Sequence, residues 1–234
     1  MSSSPSVPSS DRRSFLRHVA ASTAAAGLAT AVPSALLATP NVAPDDARWL
    51  GRIVGKHRQI FDMPQPAGGL PMLHVRNFLN TYRDAYGLRH PDVSAAVGLY
   101  YMTVPLAFTD AMWAKYQLGA ASSVVDADTK APAVRNPLWK PRDGATALPI
   151  AGGPLPPPND TSITELQARG TQFLLCNNAL GFWAANVAQA SGQTPDAVRA
   201  ELVAHLIPGV TIVPAMVIAF NRAQEAGVTY MFLP

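Results

Sequence analysis

The chain is poor in the residues that would declare a chemistry at once. It has a single cysteine, Cys176, so no internal disulfide can form, and neither a C-x-x-C-H nor a cysteine cluster is present to hold attached haem or a thiolate-bound metal. Charged residues make up only 14% of the chain, and no basic patch marks it as a nucleic-acid binder. His57, His74, His90 and His205 fall on separate segments, without H-x-x-x-H spacing or a carboxylate at a ligand offset, so no metal site is expected. There is no Ser-centred nucleophile elbow and no phosphate loop: Gly152-Gly153 lies in a proline-rich tract, away from any strand-to-helix turn. No cofactor is therefore expected.

What is present begins at the N-terminus. DRRSFLRHVAASTAAAGLATA runs from a cationic region through a short apolar region to small residues. It lacks the uninterrupted apolar stretch of about 20 residues that a membrane span needs. Arg12 and Arg13 stand just ahead of Phe15 and Leu16, and the apolar run is rich in Ala and Gly rather than Leu. In these features the segment resembles twin-arginine signals. The resemblance implies export of the folded protein by the twin-arginine translocase to a bacterial periplasm. Residues 1–38 would be the signal, cleaved after Ala31 or Ala38, or a membrane tether if uncleaved. Loss of 1–38 takes Arg12, Arg13, Arg17 and Asp11 with it, so the formal charge falls from +3 to +1. With 48% hydrophobic residues, residues 39–234 fit a single domain that buries much surface in its core or between subunits.

After a Pro/Asp linker at 39–50, residues 57–63 read as a strand. Apolar residues at helical spacing over 70–86 read as a helix that stops at Gly87. Residues 93–101 are β-compatible, and 105–118 read as a helix with Pro105 near its first turn. The pattern then vanishes between 119 and 160, where Pro, Gly, Asp and Lys dominate. A stretch this long is usually a functional lid or a disordered insertion. Pattern returns with a short helix over 162–169, opened by Thr161 or Ser162 with Glu165 as in a capping box, and an apolar strand over 171–176. Helices follow at 179–190 and from Thr194-Pro195-Asp196 onward, then a strand at 210–213. A helix over 214–226 has Met216, Val217, Phe220 and Ala223 expected inward, and a last strand covers 228–232. Continuous apolar strands alternating with helices are the mark of an α/β fold with a mostly parallel sheet covered on both faces. Ligands bind such sheets beyond the carboxyl ends of the strands, where Cys176 sits.

The segments FLLCNNAL, LIPGVTIVP and AFNRAQEAGVTYMFL resemble the DsrE-like family, also called the YchN-like fold. The likeness runs well over about 161–234 and more loosely upstream, through KHRQIFDM and DAMWAKYQLG. It implies a three-layer α/β/α domain with a five-stranded, mainly parallel sheet and assembly as a homo-oligomer; the proline-rich stretch at about 119–160 has no counterpart in short members of the family and would be an insertion. It also implies that Cys176 matches the cysteine on which members accept and pass sulfur, with a sulfur donor or acceptor protein as partner. Gln224 and Asn221 match a Gln-bearing helix near that site and are expected to be structural hydrogen-bonders.

Read from the residues alone, Cys176 is a buried apolar residue, a free reactive thiol or an intermolecular linker. A thiol between a strand end and a helix start gains thiolate character from the helix's partial positive charge, and Asn177 and Asn178 would add hydrogen-bond donors to a bound anion or to the sulfur. Two functions are expected from this. One is a sulfur carrier or thiol-redox protein using Cys176. The other is a non-catalytic ligand-binding or assembly module whose pocket is walled by aromatic residues including Tyr101 and Trp113.

Overall fold

A strand covered on both faces must present apolar or very small side chains to both sides, and VSAAVGL at 93–99 does so along its whole length: every residue is buried. The computed structural model describes residues 48–233; the segment expected to be a signal, with Arg12 and Arg13, lies outside them. Strands β1 (His57–Met63), β2 (Val93–Leu99), β3 (Gln172–Cys176), β4 (Val210–Val213) and β5 (Thr229–Phe232) form one sheet in the order β4-β3-β2-β1-β5. Every neighbouring pair is parallel.

Helix α1 (Leu70–Tyr86) has Pro in its first turn and ends at Gly87, whose φ of 69° lets its amide donate back to Tyr82 and Arg83. With α2 (Asp110–Tyr116), α3 (Leu118–Ala121), α4 (Ile163–Ala168), α5 (Asn177–Ser191) and α6 (Pro195–Ala204) it covers one face of the sheet around a large apolar cluster. The other face is covered by α7 (Met216–Glu225) together with Trp49 and Ile53. The fold is thus a three-layer α/β/α arrangement. The chain steps from β1 to β4 in order, and α7 carries it back to β5 at the far side of β1. Helix α7 therefore starts at the carboxyl end of the sheet.

Three expectations change. The helix expected over 105–118 is divided: a 3-10 segment, Tyr101–Ala107, takes up Pro105, and α2 begins only at Asp110. Proline has no amide for an α-helical ladder, and Gln117 at φ 49° separates α2 from α3. Val217 is not inward but 71% exposed, because α7 buries Met216, Ala219, Phe220 and Ala223 at helical spacing, and Val217 falls off that stripe. The stretch 119–160 is neither lid nor loose insertion. Val124, Ala133, Leu138, Leu148 and Ile150 are buried in the main cluster. Asn136 pins the arm, its amide nitrogen donating to Leu106 O and Phe108 O and its oxygen accepting from Leu138 N. Elsewhere in the segment backbone groups pair with one another, as in Val124 N to Gly119 O, Ala133 N to Val124 O and Leu148 N to Pro157 O, so its buried polar groups are met without long regular elements.

Candidate functional site

Cys176 ends β3 and immediately precedes α5. Its sulfur accepts from two backbone amides: Ala179 N, in the first turn of α5, at 3.5 Å, and Met216 N, which opens α7, at 3.3 Å. The first residues of a helix have amides with no partner within the helix, and the N-terminus carries partial positive charge. Here two helix starts, one from each face of the sheet, converge on one sulfur. The side chain is 6% exposed, so it lies at the carboxyl end of the sheet, nearly closed over by the start of α7.

A second polar group on this face, built on Asp62 and Tyr230, was not singled out by pattern. Asp62, next to last in β1, is 5% exposed, in register with Gly98 of β2, itself in register with Leu174 of β3. Its side chain is on the same face as Cys176, since residues two apart on a strand share a face. The Tyr230 hydroxyl donates to Asp62 Oδ2 at 2.5 Å, while Oδ1 has no hydrogen-bond partner. The Tyr100 phenol approaches the same carboxylate, and the Phe220 ring makes edge contacts with both tyrosines, at centroid distances of 6.1 Å to Tyr100 and 5.4 Å to Tyr230. Burial, and then the Asp62 carboxylate, pushes the Tyr230 phenol up to about 12. The Tyr100 phenol is also raised, by burial first, then by Asp62, with Tyr230 and Cys176 adding to the effect. Gly98 lies under this group: a Cβ there would come within 2.7 Å of Met216 Sδ and 2.9 Å of Phe220 Cζ. Glycine is what lets α7 settle onto the sheet beside the thiol. Asp62 and Tyr230 bridge β1 and β5, where the sheet stops growing in one direction and is joined from the other side, the usual ligand position in open α/β sheets.

The aromatic residues form a separate feature. A cleft of about 440 Å³ is lined by Tyr101, Met102, Tyr116, Phe182, Trp183 and Lys115 among others. Tyr101 is 57% exposed, with φ 52°, and its carbonyl accepts from Trp183 Nε1 at 2.6 Å. At the rim, Glu201 accepts from Lys115 Nζ and from the Tyr116 hydroxyl. Trp113 does not line this cleft; it is fully buried in the core and donates from Nε1 to Pro105 O. The thiol packs with the cluster under α7 and the cleft is built from elements on the opposite face, so Cys176 and Tyr101 belong to two separate sites. The Asn177 oxygen accepts from Arg199 Nη2 at 2.5 Å, and Asn178 is exposed. Asn221 and Gln224 lie on the exposed side of α7 and not beside the sulfur.

Among the described residues no group of three His, Cys, Asp or Glu side chains could hold a metal ion, and no helix is long and apolar enough to cross a membrane.

Comparison with known proteins returns little. No family model matches the chain, and no curated protein matches it. Among solved structures, one similar chain is a protein of unknown function, MTH1491, from Methanobacterium thermoautotrophicum. It is 18% identical, the match covers 76% of this chain and all of that one, and the TM-score is 0.38.

Proposed function

We propose that this is an exported, periplasmic protein of the DsrE-like type that carries sulfur, or is reversibly oxidised, on Cys176. The observation that supports the reading is the convergence of two helix-leading amides on one sulfur at the carboxyl end of a parallel sheet. Those dipoles favour negative charge on the sulfur or on a sulfur bound to it. In the transfer step the Cys176 sulfur attacks the outer sulfur of a persulfide donor. A new S–S bond forms as the donor's own S–S bond breaks, and the electrons of that bond leave on the donor's inner sulfur. That sulfur takes up the proton given up by Cys176 and departs as a thiol, so no oxidant or reductant is consumed. Tyr100, whose phenol feels both Asp62 and Cys176, is a polar group within electrostatic reach of the thiol while this happens.

The test is intact mass of the native protein after exposure to glutathione persulfide, with Cys176→Ser as control. The expected result is a gain of one sulfur atom in the wild type and none in the variant. A wild-type protein that gains no sulfur, and whose cysteine is alkylated no faster than that of the unfolded chain, removes the reading.

We also propose self-association. Val217 and Ile218 on α7 and Tyr230, Met231 and Phe232 on β5 are exposed, and among the described residues β5 is an edge strand with an unpaired side. Exposed apolar residues at an open edge are normally covered by another chain. A second function, supported by the aromatic cleft, is binding of a small, largely apolar ligand between Tyr101 and Phe182. It is independent of the thiol, so Cys176→Ser would leave such binding intact.

A further inference from the structure

The amino ends of the strands carry a second polar feature, which the thiol chemistry does not use. A cleft of about 340 Å³ lies between the end of α1, the turn into β2 and the end of α4. Its walls are Leu79, Val93 and Ala168, and its polar lining is Arg83, Arg89, Arg169 and His90.

These cations are short of counter-charge. Asp84 takes both bonds from Arg83, at 2.6 and 2.9 Å, and is the carboxylate that Arg89 and Arg169 also face. Nearby Asp160 is engaged by Arg76 at 2.6 Å. Arg169 rests on a neutral partner, donating from Nη2 to Asn80 Oδ1 at 2.8 Å, and its guanidinium is pushed down by burial and then by the Arg83 charge. Among the described residues the Arg89 side chain makes no ion pair. Among the described residues, Arg83, Arg89 and Arg169 of the cleft, with Arg76 beside them, are thus shown against two carboxylates, Asp84 and Asp160, and repulsion among them costs stability unless an anion offsets it.

The cleft is also held in shape. His90 lies against Gly170, whose φ is 90°; a Cβ there would fall 2.3 Å from His90 Nδ1. The imidazole is therefore seated on bare backbone, on the rim beside Arg169. Guanidinium forks from separate elements, facing one space, match the oxygens of a tetrahedral oxyanion far better than a point cation would.

We infer that this cleft binds a phosphate or sulfate group, with Arg89 and Arg169 as its principal donors and Arg83 as a third charge. The ligand is either a free oxyanion or the same group on a lipid headgroup; the residues named recognise what the two share.

The experiment measures the thermal midpoint of the full chain with sodium phosphate against sodium chloride at matched, low ionic strength, in parallel with co-sedimentation on vesicles containing phosphatidylglycerol. Arg89→Ala, on an exposed turn, is the variant least able to disturb folding; Arg169→Ala and Arg169→Lys are run beside it. A ligand bound only by the folded chain raises the midpoint in proportion to its occupancy. Phosphate is expected to stabilise the wild type where chloride does not, with each Ala variant weakening the apparent affinity by about tenfold, the scale of one charge-assisted hydrogen bond. Arg169→Lys would recover only part of it. Vesicle binding lost in the same variants, with no effect of free phosphate, supports the site with the headgroup as its source. No response to either ligand overturns the inference, as does a phosphate response that survives Arg89→Ala and Arg169→Ala together. Neither outcome touches the thiol, which is read by sulfur uptake at Cys176.

Discussion

Replacing Cys176 by alanine removes the acceptor that the Ala179 and Met216 amides share. Met216 is buried, so its orphaned N–H carries a desolvation cost of about 1–3 kcal/mol. The Ala179 amide is nearer to solvent, and losing its cap costs about 1 kcal/mol, as at other helix starts. Together they predict that Cys176→Ala loses about 2–4 kcal/mol, or roughly 4–16 °C of melting temperature in a domain of this size. Serine restores an acceptor at the same place and is expected within about 1 kcal/mol of the wild type. The rank order is the informative quantity. Were the sulfur merely packed among apolar groups, serine would bury a hydroxyl without a partner, at about 1–3 kcal/mol, and alanine would be the milder change. Equilibrium urea unfolding of the three proteins, reduced throughout, measures the order directly. Alanine as stable as serine, or more so, would refute the claim that these amides grip the sulfur.

Four other outcomes follow from the same structure. Tyr230→Phe removes the hydroxyl that donates to Asp62 Oδ2 and leaves the buried carboxylate with only the Tyr100 phenol near it, so chemical denaturation should show a loss of about 1–3 kcal/mol. Because the Tyr230 phenol is raised from 10 to about 12 in the folded state, its contribution is intact below pH 10. It is lost as pH rises toward 12, where the unfolded chain gives up the proton first, and Tyr230→Phe should flatten that decline in a pH series of melting curves. Gly98→Val crowds Met216 and Phe220 and should cost about 1–3 kcal/mol; if α7 is displaced as that crowding requires, alkylation of Cys176 speeds up as well. Val217→Glu on the exposed side of α7 should leave the melting point nearly unchanged while light scattering reports a smaller assembly; an unchanged mass counts against self-association there.

Much of the fold was open to reading from the chain itself. The five strands and most helix positions follow from local chemistry: apolar runs at 93–99 and 171–176, Gly87 closing α1, Thr194 and Pro195 opening α6. Each of these signals lies within a few residues of the element it governs, and so does the cue that placed Cys176 between a strand end and a helix start. What tertiary structure alone decided is which residues keep that cysteine company. Met216 is 40 residues from the sulfur in sequence and Tyr230 is 168 from Asp62; they meet because the sheet order brings β1, β3 and β5 into one sheet and returns α7 across it. Asp62 stood in view as an acid within the apolar strand HRQIFDM, yet its neighbours did not. Trp113 and Tyr101 parted for the same reason, since the turn after β2 sends one into the core and leaves the other at the rim of a cleft, on the face of the sheet away from the thiol. Periodicity names the buried side of an element; only the packed chain says what it is buried against.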